Sequence, residues 1–390
     1  MSNVSSGFIV KADVLKEQGS REANNFSSVF CNGYTLYTAL ALCALMFILR
    51  KLREAGVPKS ALNIFAAIMI LWQALGFAAG YDFIMAEYDI FPYHFAEVIR
   101  AVNMNVIIIT LYGFIAFFLV SLFTRFKPFT KRRAICAVVL MVIAVCYSMC
   151  EAYYVRPRYV TVPTKKLPEG IDKIRIAFLV DVHIGGVSTL AHLERVMKIV
   201  DEASPDILLL GGDILDGDMS VRNSELALLR EAAKKARYGA FAVNGNHEHY
   251  IILDADPEGV IRECGYDLLI NERREIPGVT ILGLEDIHYG WIRPYLKPED
   301  KDRFTIILKH RPGVPNDADG NFDLMLSGHT HGGQFWPLGC FKDMALHSQQ
   351  GLSQKAGGYV YVSNGSGFNQ AMMRLFVPPE VTVIDLVRED

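Results

Sequence analysis

The chain has 390 residues, enough for two domains, and 51% of it is hydrophobic; its mean hydropathy of +0.22 is high for a wholly soluble protein. A formal net charge of −3 offers nucleic acid no electrostatic hold, so no nucleic-acid partner is expected. The seven cysteines (Cys31, Cys43, Cys136, Cys146, Cys150, Cys264 and Cys340) make neither a disulfide framework nor a CxxC zinc site, and they leave the compartment open.

The apolar residues gather before residue 155. Stretches 23–49, 60–81, 101–124 and 134–150 carry no charged residue. A helix that crosses a bilayer needs roughly 20 apolar residues. The pattern predicts an N-terminal membrane domain, 1–155, with four transmembrane helices at about 30–50, 60–81, 101–124 and 134–154. Tyr153 and Tyr154 close the last one and suit an interfacial belt. The loop after the first span holds Arg50, Lys51, Arg53 and Lys59, and the loop after the third holds Arg125, Lys127, Lys131, Arg132 and Arg133. The loop between the second and third holds Arg100 among acidic residues. Positive-inside reasoning puts the two basic loops in the cytoplasm and the C-terminal domain outside it. No ionisable residue falls in mid-span, which predicts an anchor in the lipid bilayer rather than a conduction path.

From residue 156 to 390 short apolar runs alternate with helical patterns: KIRIAFLV, LERVMKIVDEA, DILLL, SELALLREAAKKA, GAFAV, VTILG, FTIIL, FDLML, YVYVS, VTVIDLV. That alternation predicts a layered α/β or α+β domain. Polar residues follow the predicted strands. Asp181 and His183 follow AFLV, Asp213 follows ILLLGG, and Asn246, His247 and Glu248 follow FAVNG. His310 follows TIIL, while His329 and His331 follow LML. In open α/β sheets ligands bind at the carboxyl ends of strands, where loops point polar groups at a common centre.

Asp181, His183, Asp213, Asn246, His310, His329 and His331 are seven donors, more than one ion takes. Two ions sharing a carboxylate use them all. Mixed N/O donors without thiolate suit Mn²⁺, Fe²⁺/³⁺ or Zn²⁺ better than Ca²⁺ or Mg²⁺. A lone loop histidine is ordinarily a surface or capping group; five strand ends in succession delivering such residues are hard to obtain by chance. His192, His249, His288 and His347 read as structural or peripheral, with His249 and His288 nearest the pocket. HExxH, GxxxxGK[ST] and GxSxG are absent.

The blocks DVH (181–183), GGD (211–213), GNHE (245–248), KH (309–310) and GHTH (328–331) resemble those of the calcineurin-like metallophosphoesterases over about residues 170–390. GHTHGGQ, YVSNG and VPPEVTVIDL look like its membrane-associated bacterial subgroup of YkuE- and YaeI-type phosphohydrolases. The resemblance implies two mixed β-sheets packed face to face with helices outside. It implies one metal on Asp181, His183, Asp213 and His331. The second would lie on Asp213, Asn246, His310 and His329, with Asp213 bridging and His247 near the leaving group. The implied activity is metal-dependent phosphoester hydrolysis by a metal-bridging hydroxide, with His247 as proton donor. Glu248 either orients His247 or makes a local salt bridge. Relatives often carry an Arg after the late YVS, where this chain has Asn364, which bears on substrate preference.

Membrane anchoring points to a lipid-linked or envelope phosphomonoester or phosphodiester. Phe335, Trp336, Phe368, Met372, Met373 and Phe376 form either an apolar lip for acyl chains or plain core under long loops. Two alternatives stay open: a hydrolase like those relatives that cleave the pyrophosphate of UDP-2,3-diacylglucosamine, and a membrane sensor or scaffold without turnover.

Overall fold

The structure is a computed structural model of the chain and describes residues 35–85, 93–186, 188–216, 223–250, 256–286, 292–335 and 349–389. The chain divides into two compact units, Met1–Val145 and Cys146–Asp390.

Four helices among the described residues are long and apolar enough to cross a membrane. These are α1 (Thr35–Glu54), α2 (Lys59–Met85), α3 (Tyr93–Phe123) and α4 (Lys131–Tyr153), the last running on into the second unit. Residues 30–34 of the predicted first span lie outside the described residues. Gly56, at φ +90°, and Pro58 break the chain between α1 and α2, glycine because only it takes a left-handed turn without strain and proline because it suits a helix start. Ile64, Leu71, Ile135 and Ile143 are more than half exposed. Apolar side chains on every face belong in hydrocarbon. α3 begins before the uncharged run at 101, so Arg100 lies in its early turns, buried.

The second unit is built on two six-stranded sheets. Its strands and helices run β1 (Arg156–Thr164), β2 (Lys173–Leu179), α5 (Leu190–Ala203), β3 (Ile207–Leu210), α6 (Asn223–Lys235), β4 (Ala240–Ala242), α7 (Asn246–Tyr250), α8 (Pro257–Glu263), β5 (Asp267–Leu268), β6 (Glu272–Ile276), β7 (Val279–Gly283), β8 (Phe304–Leu308), β9 (Leu324–Ser327), β10 (Gly351–Lys355), β11 (Gly358–Val362) and β12 (Glu380–Arg388). The first sheet has the order β1-β12-β2-β3-β4-β5, the second β10-β11-β9-β8-β7-β6. Both are mixed: β2, β3, β4 and β5 run parallel while β12 opposes β2, and β7, β8, β9 and β11 run parallel between antiparallel edges.

Side-chain alternation along the strands sets the layers. Ile174, Ile176 and Phe178 of β2 and Leu209 of β3 pack in one core with Ile281, Ile306, Leu308 and Leu326 of the second sheet. The alternate residues Ala177, Leu179 and Leu208 pack on Leu193, Val196, Val200 and Leu229 of α5 and α6. Leu282, Ile307, Met325 and Val360 face away from the first sheet into a third cluster with Ile292 and Phe322. Strands buried on both faces read as continuous apolar runs, which is why FTIIL and DILLL show no polar alternation.

Candidate metal centre

Parallel β2, β3 and β4 end on one edge of the first sheet, and β8 and β9 end on one edge of the second. The loops beyond these ends carry all seven candidate ligands. The structure brings them into two adjacent groups. Asp181, His183 and His331 place one ligand atom each within 4.8 Å of one another, and so do Asp213, His310 and His329. Asn246 joins the second group through Oδ1, 3.2 Å from His310 Nε2.

The backbone is forced here. Asp181, His183, Asp213, His329 and His331 all have φ between 49° and 67°, the left-handed region. Each such residue without glycine's freedom costs on the order of 1 kcal/mol or more, a kind of strain that clusters at functional sites. Two glycines let the loops close: a Cβ on Gly245 would fall 2.2 Å from Asp213 Oδ1, and one on Gly328 2.3 Å from Val180 Cγ2 and 2.7 Å from Asp181 Oδ2.

The donor set suits cations. His310 Nδ1 donates to the Gly211 carbonyl at 3.0 Å, which leaves Nε2 a lone pair whenever the ring is neutral. That lone pair faces Asp213 Oδ2, Asn246 Oδ1 and His329 Nδ1, each at 3.2 Å. In the other group His183 Nδ1 faces an Asp216 carboxylate oxygen at 3.1 Å, which turns its Nε2 onto His331 Nε2, 3.1 Å away. Asp181 Oδ1 lies 3.9 Å from His331 Nε2 and 3.9 Å from His310 Nε2, between the groups. Oxygen and ring-nitrogen lone pairs at these distances repel unless a proton or a metal cation lies among them.

Electrostatics agree. Burial pushes the Asp181 carboxyl up, and the neighbouring Asp213 charge adds to that. Asp213 is equally buried, yet His310 and His247 hold it well below the usual carboxylate range. Burial opposes charge on His310, but Asp213 and Asp181 override it and raise it to about 10. The protein surrounds two buried carboxylates with imidazoles, which become protonated when no other cation is there.

Three residues beside the centre were beyond the sequence reading. Asp216 takes His183 Nδ1 on one oxygen and His247 Nδ1 on the other, at 2.8 Å, so it orients both rings. Its only signal was a second aspartate in the loop after β3. Burial raises Asp216, but His247 and His183 hold it well below its ordinary value. Burial also opposes charge on His247; Asp216 and Asp213 overcome this and lift it to about 9. Arg374 is wholly buried and donates to the carbonyls of Gly367 (2.6 Å), Asn364 (2.9 Å) and Val377 (3.2 Å), 3.3 Å from His331 Nδ1. Its two Nη groups are taken up by these carbonyls and the His331 ring, while its Nε is buried without a hydrogen-bond partner. Gln334 donates to Ala371 and Met373 carbonyls and ties the GHTHGGQ loop to the late loop.

Glu248 takes neither of the roles expected of it. Its oxygens accept backbone N–H groups of Asp213, Ile214, Leu215 and Gly245 at 2.7–3.0 Å. A carboxylate with four such donors locks the loops after β3 and β4 together. His249 pairs with Glu285 at 2.8 Å, His192 is buried and bonded to the Ser366 carbonyl, and His288, Trp336 and His347 lie outside the described residues. Phe368 and Met373 are core residues, 0% and 3% exposed, while Phe376 stands out at 62%.

Residues 174–333 match the family model described as calcineurin-like phosphoesterase. An uncharacterized metallophosphoesterase of Aquifex aeolicus (strain VF5) is 33% identical over 251 residues, which span 62% of this chain and 95% of that protein. The transmembrane protein with metallophosphoesterase domain of Danio rerio is 27% identical over 285 residues, 65% of this chain and 63% of that one. The uncharacterized metallophosphoesterase YkuE of Bacillus subtilis (strain 168) is 25% identical over 253 residues, 60% of this chain and 88% of that one. Strand ends, donor set and near-complete coverage of a relative point the same way, and the chain belongs to the calcineurin-like metallophosphoesterase family.

Proposed function

We propose that the protein is a membrane-anchored phosphoesterase that holds two cations side by side and hydrolyses a lipid-linked or envelope phosphomonoester or phosphodiester. The observation that carries this is the ring of acceptors around the His310 Nε2 lone pair: Asp213, Asn246 and His329 at 3.2 Å, with the Asp181–His183–His331 group adjoining. Asp181, His183 and His331 would hold one ion and Asn246, His310 and His329 the other, with Asp213 available to both. Nitrogen and oxygen donors together favour Mn²⁺, Fe²⁺/³⁺ or Zn²⁺. Bound there, such ions neutralise phosphoryl oxygens and lower the pKa of a bound water toward ~7.

The chain's own residues supply the rest. With Nδ1 turned to Asp216, whose charge favours the protonated ring, the His247 Nε2–H is directed to the Asp213 side, 3.9 Å from Oδ2. There it donates to the departing oxygen, help worth roughly 10²–10⁴-fold. Asp216 fixes the orientation of His183 and His247 together. Glu248 keeps Asp213 at its height by holding the backbone on either side.

The basic loops at 50–59 and 125–133 support a cytoplasmic location for those loops and an extracytoplasmic one for the catalytic domain, in a bacterial cell membrane. Reporter fusions at residue 390 check the side. The catalytic reading is checked by assaying the full chain in detergent against a panel of phosphoesters, including lipid-linked ones and bis-p-nitrophenyl phosphate, with Mn²⁺, Zn²⁺ and Fe²⁺. Metal-dependent hydrolysis lost in Asp213→Asn with the fold intact is the expected result. A folded chain that binds none of these ions and hydrolyses nothing in the panel overturns it.

A further inference from the structure

The strand register says at which edge of the first sheet α4 joins the strands. β1 begins three residues after α4 ends and runs parallel to β12 from the pair Arg156↔Glu380. β12 opposes β2, with Thr382 against Phe178. The edge where β1 and β12 begin is therefore the edge where β2, β3 and β4 end, and that edge carries Asp181, Asp213 and Asn246.

The last turns of α4 are fastened to the late loop at this edge. Glu151, its side chain 3% exposed, accepts the Phe376 backbone N–H and, at 3.0 Å, the Tyr147 hydroxyl. The Ser148 carbonyl accepts the Arg374 backbone N–H at 3.0 Å. The Phe376 ring packs on the Tyr147 ring with centroids 5.3 Å apart. Tyr147 precedes the end of α4 by six residues, about 9 Å of helix axis. A ring stacked on Tyr147 is drawn back along an apolar span, yet Phe376 is 62% exposed, and the neighbouring Tyr154 is 66% exposed. Beyond them Arg156 and Arg158 line a cavity of about 380 Å³ beside Asn364. Aromatic rings followed by basic groups is the order of side chains met on leaving a bilayer.

We infer that the late loop, residues 371–377, is seated in the lipid interface beside α4, with Phe376 at the boundary of headgroups and acyl chains. The metal-centre edge of the sheet then lies at headgroup height of the same leaflet. Resting on the phosphoesterase reading, this makes the substrate a phosphoester carried in the headgroup layer and not one collected from solution.

The test leaves catalysis out of its readout. Phe376→Trp adds a fourth tryptophan to the chain's three. The full chain is reconstituted in phosphatidylcholine vesicles with bromines placed near the headgroup or near the chain end. The variant-minus-wild-type emission is expected to be blue-shifted and lost chiefly to the shallow bromines. A red-shifted difference spectrum untouched by either bromine overturns the inference, whatever the enzyme hydrolyses. Should the variant not fold, the wild-type chain in vesicles containing a lipid with a photoreactive group near its headgroup answers the same question. A lipid adduct on the tryptic peptide 375–388 supports the seat, and labelling confined to peptides of the spans overturns it. Absence of hydrolysis with intact quenching sinks the phosphoesterase reading and leaves the seat standing.

Discussion

Replacing Asp216 with asparagine keeps the shape and removes the charge, and its cost follows from two hydrogen bonds. Asp216 accepts from His247 Nδ1 at 2.8 Å and from His183 Nδ1 at 3.1 Å. An amide offers one oxygen and one NH₂, so one imidazole N–H meets a donor and its bond is lost, while the other bond loses its charge assistance. A hydrogen bond to a charged group contributes about 1.5–3 kcal/mol, which is roughly 10- to 100-fold in kcat/KM. A carboxylate behind a metal-ligating histidine is expected to cost a similar factor in metal affinity. The assay is kcat/KM on bis-p-nitrophenyl phosphate at saturating Mn²⁺, with metal content measured on the same preparation. The pH profile separates positioning from plain structure. His247 is raised above its ordinary 6.5, to about 9 when Asp216 and Asp213 are both bare, so a step that needs its proton falls on the alkaline side at a pH set by the carboxylates that still face it. Cations on Asp213 cancel that carboxylate's share and leave Asp216 as the anion opposite His247. In Asp216→Asn the alkaline fall moves to lower pH. A variant with wild-type kcat/KM, metal content and alkaline limb refutes the role given to Asp216; a lowered melting temperature with an unmoved limb shows a structural role only.

The other predictions use buried contacts. Glu248→Ala leaves four backbone N–H groups without their acceptor, at about 1–3 kcal/mol each when buried, and is expected to lower the melting temperature and metal content together, read by calorimetry and metal analysis. Gly328→Ala puts a Cβ 2.7 Å from Asp181 Oδ2, and is expected to weaken metal binding while far-ultraviolet circular dichroism is unchanged. Burial lowers His192 to about 4 from an ordinary 6.5, so the unfolded chain takes up the proton first as pH falls. Its contribution to stability is intact above about pH 6.5 and is lost as pH falls through about 4, in full about 3 kcal/mol. His192→Gln is expected to flatten that acid slope in detergent unfolding measurements.

The parts of the fold legible in the sequence are those where chemistry repeats locally. Apolar runs announced the four long helices, and KIRIAFL, ILLL, FTIIL and LMLS read as strands because both their faces are buried. The sheet edges were not legible. β6 is ERREI and β10 is GLSQK, edge strands whose charged and polar residues guard against pairing with another chain but erase the hydrophobic signal. β1 carries two prolines and two arginines for the same reason, and its pairing with β12 joins residues more than 220 apart. No local pattern encodes that. Of the site, the ligand blocks were legible because each sits directly after a strand. Asp216 and Arg374 were not, since their partners lie across the fold: Asp216 reaches His247 from another loop, and Arg374 reaches His331 from the late loop.

Glu248 shows why a motif names residues more readily than roles. In sequence it stands next to His247, which suggested a direct partnership. In the fold α7 opens at Asn246, and consecutive residues on a helix point about 100° apart. His247 turns to Asp216 while Glu248 turns inward to the backbone of 213–215. The division has a physical logic. A carboxylate that accepts four backbone N–H groups is fixed and cannot also follow a moving proton, whereas Asp216, its side chain 17% exposed, shares its two oxygens between two rings that both lie beside the candidate ligands. One acid therefore sets where the centre is, and the other sets which way its imidazoles face.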